Sequence, residues 1–399
     1  MMDSFVLIGN PENKRTLFLQ QARAKLGLAP AVVVPYLDVL KQRVNWEELM
    51  SKASRPIIRI DSPGENFKVE REIIAIGACE EWGDDGLFPL PDLLPSPTVS
   101  VRTARNLIAE KGRIYYPSQW FRGYCRLLGA IKRDVMQANP QVSWMNDPRE
   151  IAIMFDKRRC HQLLSEHSIQ VPRLPQGNGI LSGYDHLREA MSLSGIHRVF
   201  VKLAFGSSAS GVMAYQINPS TGAEIADTTI GVAGQGPFRT LYNTRKLQRY
   251  TDSSSIRELI QWLASQGMHV EQWISKISHE GRSMDFRQLI VGGEACHRVA
   301  RLSRSPITNL HLRNERASLE EVGIQPDMIQ SIESCASHVS KLFPDSFVAG
   351  LDLVIGKRRP LPYVIDINPF GDLLLHVKHN QYDPYEWEMI QMNKDRILS

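Results

Sequence analysis

Three oxygen-bearing side chains lie inside two apolar segments near the carboxyl-terminal end of the sequence. Asp352 lies in Gly350-Leu-Asp-Leu-Val, and Asp366 and Asn368 lie in Val364-Ile-Asp-Ile-Asn-Pro. Residues two apart in a strand share one face, and hard oxygen ligands suit a magnesium ion that is bound together with phosphates. Because an uncompensated buried carboxylate is costly, this set predicts a metal site rather than separate strand-end caps.

A second segment combines a cation with a flexible loop. Lys202 ends the apolar run that begins at Val199, and Phe205-Gly-Ser-Ser-Ala-Ser-Gly211 follows. Glycine allows close backbone approach, serine offers donors, and a lysine at a strand end can place its charge on a phosphate. The segment predicts a phosphate cradle, and a plain serine-rich turn is the alternative.

The elements that must position these residues begin with an alternation of strands and helices. Apolar runs at 5–10, 31–35 and 57–60 predict strands, and the pattern from 13 to 26 predicts a helix. Such alternation predicts a parallel sheet with crossover helices. The turn Gly9-Asn10-Pro11 lacks a dinucleotide fingerprint, so a conformational role is favoured over a substrate loop.

The order of elements changes after Asn146-Asp-Pro, which predicts a helix start and a domain boundary, because proline is well tolerated in a first helical turn. Helices are predicted at 102–111, 120–139, 147–168, 253–266 and 327–342. Strands are predicted at 199–202, 211–217, 269–274, 286–291, 294–300, 347–355 and 362–367.

Composition narrows the function classes. The chain has 399 residues, 43% hydrophobic and 23% charged, with a formal charge of +4 that is too small to indicate nucleic acid as a partner. Five separated cysteines without a Cys-x-x-Cys pair predict free thiols rather than disulfides or a zinc site. Residues 1–10 lack a basic segment and no later stretch is long enough to span a bilayer, so a cytoplasmic protein without membrane contact is expected.

From residue 147 to 372 the order of features resembles the ATP-grasp superfamily, and within it the D-alanine–D-alanine ligase and RimK-type glutamate ligase branches. The resemblance implies a mixed α/β and α+β protein with an ATP-grasp fold, in which two α+β subdomains clasp ATP. The implied domains are a Rossmann-like domain at 1–146 and an ATP-grasp domain at 147–399, divided into 147–268 and 269–399.

The phosphate contacts of that family can be carried over by motif. A helix that opens with Asp156-Lys157 precedes Val171-Pro172, so the resemblance gives Lys157 a role at the nucleotide phosphates. Lys202 matches the second phosphate lysine. The matching flap residues are Gly206, Ser207 and Ser208.

A hinge strand and a ribose acid follow in the family. The hinge that holds the adenine matches Glu271, Gln272, Trp273 and Ile274. In Asp285-Phe-Arg287, Asp285 resembles the ribose-binding acid, with Glu280 as the alternative because 281–283 lengthens this connection. Asn309 resembles an asparagine of the RimK-type branch. Asp352, Asp366 and Asn368 match the metal ligands, although Asp366 stands where the family usually has glutamate.

Two arginines are candidates for stabilising the negative charge that develops during phosphoryl transfer. Arg287 and Arg301 match arginines near the transferred phosphate, and a planar guanidinium can bond two oxygens at once. With Lys202 they form the predicted catalytic set, whereas Arg304 and Arg313 are assigned to a solvated face. The basic segment 239–246 lies outside the family pattern and is predicted as a surface loop, with a substrate lid as the alternative.

The resemblance implies a ligase that uses ATP and Mg²⁺, with Mn²⁺ as the alternative metal. A small-molecule or peptide carboxylate would be activated as an acyl phosphate and joined to an amine. The sequence leaves a homodimer open. Two other functions remain: an ATP-grasp kinase that phosphorylates a small anionic acceptor, and a non-catalytic nucleotide-binding module.

Overall fold

The computed structural model describes residues 4–82, 98–176, 181–206, 210–234, 240–308 and 315–398. Within these residues the strands form three sheets. None of the helices in these ranges combines the length and the apolar character needed to cross a bilayer. The five cysteines are free.

The amino-terminal region is built around a parallel sheet, as the alternating pattern predicts. Its strands are β1 (Phe5–Gly9), β2 (Val32–Pro35), β3 (Ile57–Ile60) and β4 (Ser143–Trp144). They pair in the order β2-β1-β3-β4, and β1 is buried throughout because both faces of the sheet are covered. The helices are α1 (Lys14–Lys25), α2 (Tyr36–Leu40), α3 (Trp46–Met50), α4 (Phe67–Gly77), α5 (Val101–Arg105) and α6 (Pro117–Ala138), with a short 3₁₀ helix at Glu80–Trp82.

The central region contains a five-stranded antiparallel sheet. Its strands are β5 (Arg198–Leu203), β6 (Met213–Ile217), β7 (Glu224–Ala233), β8 (Thr240–Tyr250) and β9 (Met268–Gln272), and they pair in the order β8-β7-β6-β5-β9. The boundary proposed between residues 268 and 269 cuts through β9, whose pairing with β5 ties it to this sheet. The helices are α7 (Pro148–Phe155), α8 (Lys157–Glu166), α9 (Tyr184–Ser194) and α10 (Ser253–Ser265).

Two predictions for this region were wrong. The single helix expected at 147–168 is broken at Asp156, which has an extended backbone and caps α8 by accepting a hydrogen bond from the Arg158 backbone N–H. The basic segment is not a surface loop, because its described residues belong to β8, an edge strand paired with β7. Thr240 and Tyr242 are residue types that favour such a pleated edge.

The carboxyl-terminal region contains a second large antiparallel sheet, in the order β13-β12-β11-β14-β15 with β10 beside β11. One face of this sheet packs against α11, and part of the other face packs against α12. The rest of that second face is polar. These elements are β10 (Ser278–His279), β11 (Arg282–Val291), β12 (Glu294–Ser303), β13 (Glu315–Ala317), α11 (Pro326–Ser340), β14 (Val348–Ile355), β15 (Pro362–Asn368) and α12 (Pro384–Leu398).

Candidate active site

Charged residues of four adjacent strands share one face of the carboxyl-terminal sheet. Asp352 in β14 stands opposite Asp366 in β15 and opposite Arg287 in β11. Asp285, two residues before Arg287, stands opposite Arg301 in β12. Since directly paired residues of antiparallel strands point to the same side, the register places these five side chains on one face.

The two arginines bridge the carboxylates of this face. The Arg301 guanidinium lies 2.6 Å from Asp285 and 2.8 Å from Asp352, and Arg287 lies 3.2 Å from Asp352 and 2.9 Å from Asp372. Burial alone would lower the pKa of Arg301, but Asp285 and Asp352 raise it above its ordinary value. The face is therefore a network of paired charges.

Lys157 joins this network from the central region. Its Nζ donates to both carboxylate oxygens of Asp366, at 2.7 and 2.9 Å. Its backbone N–H donates to Ala204 at 3.0 Å, which fixes the start of α8 to the end of β5. Two segments far apart in sequence thus bring a cation to one of the proposed metal ligands.

Lys202 forms a second buried ion pair, with Glu271 of the neighbouring strand β9. Glu271 is 2% exposed, and burial alone would raise its pKa. The charge of Lys202 and a hydrogen bond from His269 outweigh burial and lower the pKa of Glu271 to about 2. Glu271 is thus bound to Lys202, a partner that the sequence did not indicate.

An elongated cleft of about 780 Å³ lies between the central and carboxyl-terminal sheets. Gln272 and Ile274 line it, whereas Trp273 packs on Phe200 with ring centroids 5.4 Å apart, under the Arg198 guanidinium. Lys157, Lys202, Glu271, Asp285, Arg301, Asp352 and Asp366 contribute its polar lining. Its apolar lining includes Phe200, Leu203, Val212, Ile274, Ile307, Val354 and Ile365.

Two further polar residues of this cleft were missed in the sequence. Lys276 donates to the Thr308 hydroxyl at 2.8 Å, and Thr308 donates to Asp285, which is 1% exposed. Burial lowers the pKa of Lys276. Lys276 lies two residues after Ile274, the last predicted hinge residue, and this position could have indicated that it lines the cleft. Glu280, the alternative ribose ligand, is exposed and paired with Arg282 outside the cleft.

The flap is described only in part. Gly206 lines the cleft, and a Cβ there would lie 3.0 Å from the Ser210 carbonyl oxygen, so the backbone approaches closely. Ser207, Ser208 and Asn309, which were predicted as nucleotide contacts, lie outside the described residues.

The proposed metal ligands fit a cation that also takes ligands from a nucleotide. Asp352 and Asp366 supply carboxylate oxygens, and the Asn368 side-chain oxygen accepts one hydrogen bond, from the Phe370 backbone N–H at 3.1 Å, which leaves a second lone pair. In the described parts of the chain, no group of three or more His, Cys, Asp or Glu side chains could hold a metal by itself. Magnesium commonly binds through one or two carboxylates plus substrate phosphates, which agrees with this set.

A second, larger cleft of about 2200 Å³ adjoins the first and reaches the amino-terminal region. Arg15, Glu65 and Glu70 belong to its lining, and Arg15 donates to the Phe370 carbonyl oxygen at 2.7 Å. Arg287 and Asn368 line only this second cleft. The residues that line both clefts are Lys157, Leu203, Gly206, Ser210, Arg301, Asp352 and Asp366.

Solved structures of ATP-grasp ligases resemble this architecture. The ligase PsnB, complexed with a phosphomimetic variant of its minimal precursor, Mg and ADP, gives a TM-score of 0.52 at 12% identity over 98% of this chain and 99% of that one. PsnB complexed with precursor peptide PsnA2 and AMPPNP gives 0.52 at 12% identity, covering 98% of each chain. The D-cycloserine synthetase DcsG gives 0.52 at 13% identity over 97% of this chain and 99% of that one.

These likenesses establish the fold, which is the ATP-grasp fold that the sequence predicts. No protein-family model matches the sequence, and no curated protein matches it. The closer resemblance to the RimK-type branch stays a prediction.

Proposed function

We propose that this protein is an ATP- and magnesium-dependent carboxylate–amine ligase that forms an amide or peptide bond through an acyl phosphate. The observation that carries the proposal is the junction of the two clefts, where Lys157, Arg301, Asp352 and Asp366 line both. A nucleotide in the first cleft and a carboxylate in the second would meet at these residues. The solved neighbours named as an ATP-grasp ligase and a synthetase support this class of reaction.

In this proposal the nucleotide lies along the first cleft. The apolar part takes the adenine against Ile274 and the hinge backbone at Gln272 and Trp273, and Asp285 faces the ribose. Lys157 and Lys202 bind phosphate oxygens, helped by the flap at Gly206, Ser207 and Ser208. The flanking Asn309 would complete this set.

Glu271 has a different role from the adenine contact that the family motif implies. Its ion pair with Lys202 holds that lysine in the lining of the first cleft. We assign Glu271 as a positioning residue for the phosphate lysine.

Asp352, Asp366 and Asn368 would hold Mg²⁺, which would neutralise phosphate charge when bound. Lys157, now paired with Asp366, would then be available to the phosphates. The chemistry of the chain's own residues is positioning and electrostatic stabilisation.

The reaction has two steps. A carboxylate oxygen of the donor attacks the γ-phosphorus of ATP, the bond to the β-phosphate oxygen breaks, and ADP leaves. The amine nitrogen then attacks the acyl carbon, the bond to the phosphate oxygen breaks, phosphate leaves, and the nitrogen loses a proton. Arg287 and Arg301 lie where they can stabilise the negative charge of both steps.

Hydroxylamine trapping tests this proposal. The protein, ATP, Mg²⁺ and a panel of carboxylic acids should yield a hydroxamate, because hydroxylamine can replace the natural amine. Asp366→Asn should yield none, whereas Lys246→Ala, a change on the exposed edge strand, should match the wild type. A stable phosphorylated product with stoichiometric ADP and no free phosphate would establish the kinase instead.

A further inference from the structure

The second cleft has a wall of aromatic rings beside the proposed reaction centre. Trp120 of α6 and Phe155 of α7 have ring centroids 5.4 Å apart, and Phe155 and Phe370 are 6.4 Å apart. We refer to Trp120, Phe155 and Phe370 as the aromatic shelf. All three line the second cleft, and Trp120 and Phe155 are only partly buried.

Two residues of the shelf, Phe155 and Phe370, are connected to residues of the proposed reaction centre. Phe155 is the last residue of α7 and precedes Lys157 by two positions in the sequence. Lys157 is the lysine that contacts Asp366. Phe370 donates its backbone N–H to the Asn368 side chain at 3.1 Å. A substrate whose carboxylate lies at the junction of the clefts therefore has apolar surface in the same cleft, from the shelf and from Leu203, which lines both clefts.

The shelf is rigid because buried rings support it. Phe121 stacks on Phe155 with centroids 6.1 Å apart and on Phe205 with centroids 4.2 Å apart. Phe121 is 1% exposed. Accessible apolar surface on a preformed wall is typical of a ligand site.

The second cleft also contains charged residues from the amino-terminal region. Arg15 lies 3.7 Å from Asp61, and Glu65 accepts a hydrogen bond from the Asn13 side chain at 3.2 Å. Glu70, partly buried in the same cleft, adds another carboxylate. The cleft thus offers both apolar area, which includes the shelf, and charged groups, which matches an amphipathic molecule such as an amino acid derivative rather than a purely polar acid.

We propose that the donor is a carboxylate that bears an aromatic or large apolar side chain, which packs on the aromatic shelf while its carboxylate lies at the junction of the clefts. This inference rests on the proposed function, since it assigns the carboxylate to the donor site. It adds the class of side chain, which neither the ATP-grasp fold nor the reaction specifies.

The test compares 3-phenylpropionate with propionate, two achiral carboxylates that differ by a phenyl group. Their dissociation constants are measured by NMR titration of the protein saturated with Mg²⁺ and a non-hydrolysable ATP analogue. Packing the phenyl group on the shelf should give at least about tenfold tighter binding of 3-phenylpropionate. Equal binding, or no detectable binding of 3-phenylpropionate, would overturn the inference.

Two variants test whether the preference for 3-phenylpropionate over propionate arises in the second cleft. Trp120→Leu should reduce it severalfold, but Trp120 also stacks on Tyr124 at 5.1 Å, so this change loosens the core as well. Leu375 lines the same cleft and is 39% exposed, so Leu375→Asn removes apolar area with little effect on folding. Leu361, 43% exposed in the turn between β14 and β15, is the matched control, and Leu361→Asn should leave the preference unchanged. Because Leu375 lies outside the aromatic shelf, Leu375→Asn should lower the preference less than Trp120→Leu does, and a preference that is unchanged by Trp120→Leu would also overturn the inference.

The binding measurement separates this inference from the proposed function. If ATP-dependent hydroxamate forms only with small acids and no binding preference is found, the shelf assignment is wrong and the ligase assignment stands. If the shelf-dependent preference is present but no acid yields a hydroxamate, the shelf binds such carboxylates and the ligase assignment is wrong.

Discussion

Replacing Lys202 by methionine should both destabilise the fold and weaken ATP binding, because this lysine has two partners in the proposed mechanism. Lys202 is 8% exposed and Glu271 is 2% exposed. Methionine keeps an aliphatic stem but leaves the Glu271 carboxylate buried without its cation. Breaking a buried ion pair by removing one partner costs about 3–5 kcal/mol.

The pKa of Glu271 gives a similar order of magnitude for its two partners together. Burial would raise this pKa, but Lys202 and His269 bring it from 4.5 to about 2, which corresponds to roughly 3 to 4 kcal/mol at about 1.4 kcal/mol per factor of ten. Since the folded pKa lies below the unfolded one, this stabilisation is present above about pH 4.5 and is lost as the pH falls toward 2. In Lys202→Met, burial raises the pKa of Glu271, so its carboxylate takes up a proton as the pH is lowered from 7. The loss in free energy of unfolding of this variant, relative to the wild type, should therefore shrink.

Urea unfolding followed by circular dichroism, together with calorimetry of ATP binding, separates the two roles. Lys202→Met should lose about 3 kcal/mol at pH 7, and Lys202→Met/Glu271→Met should recover most of it because no unpaired carboxylate remains. Both variants should bind ATP roughly ten- to a hundredfold more weakly, since a charge-assisted contact contributes about 1.5–3 kcal/mol. The exposed control Lys246→Met should change neither the free energy of unfolding nor the affinity for ATP.

If Lys202→Met/Glu271→Met regains ATP affinity together with stability, Lys202 stabilises the fold and does not bind phosphate. Equal losses of ATP affinity in Lys202→Met and Lys246→Met would mean that the phosphate cradle is misplaced.

Two other perturbations test the site and the scaffold. Asp366→Asn and Asn368→Ala should each abolish ADP formation while circular dichroism shows that the protein stays folded; an active, magnesium-dependent double variant would contradict the metal assignment. Arg59→Met should cost about 3–5 kcal/mol in urea unfolding because it leaves Glu388, 2.5 Å from Arg59 and 1% exposed, without a cation. Lys52→Met, an exposed change, should leave the unfolding midpoint in place, and an equal shift in both variants would contradict the buried-pair argument.

Local sequence patterns predicted much of the strands that carry the proposed metal ligands. Asp352 and Asp366 stand in apolar runs of strand length, and their pairing followed from the hairpin between them. The start of α7 was predictable because Asp147 caps it and Pro148 occupies its first turn. Such signals depend on neighbours within a few residues.

Contacts between distant residues left no such signal. The partners Lys202 and Glu271 are 69 residues apart, and Lys157 and Asp366 are 209 apart. Lys276 was missed because its role depends on Thr308, which approaches only after folding. Strands β7 and β8 were missed because their sequences are too polar to show a strong apolar alternation.

Oxygen-18 transfer tests the central claim most directly. A donor labelled in its carboxylate is incubated with the protein, ATP, Mg²⁺ and an amine, and the released phosphate is analysed by mass spectrometry. The acyl-phosphate route predicts one labelled oxygen in each phosphate, because the attacking carboxylate oxygen leaves with the phosphorus. Unlabelled phosphate formed together with the amide would contradict the proposed mechanism, and the absence of amide with label retained in a phosphorylated product would contradict the ligase itself.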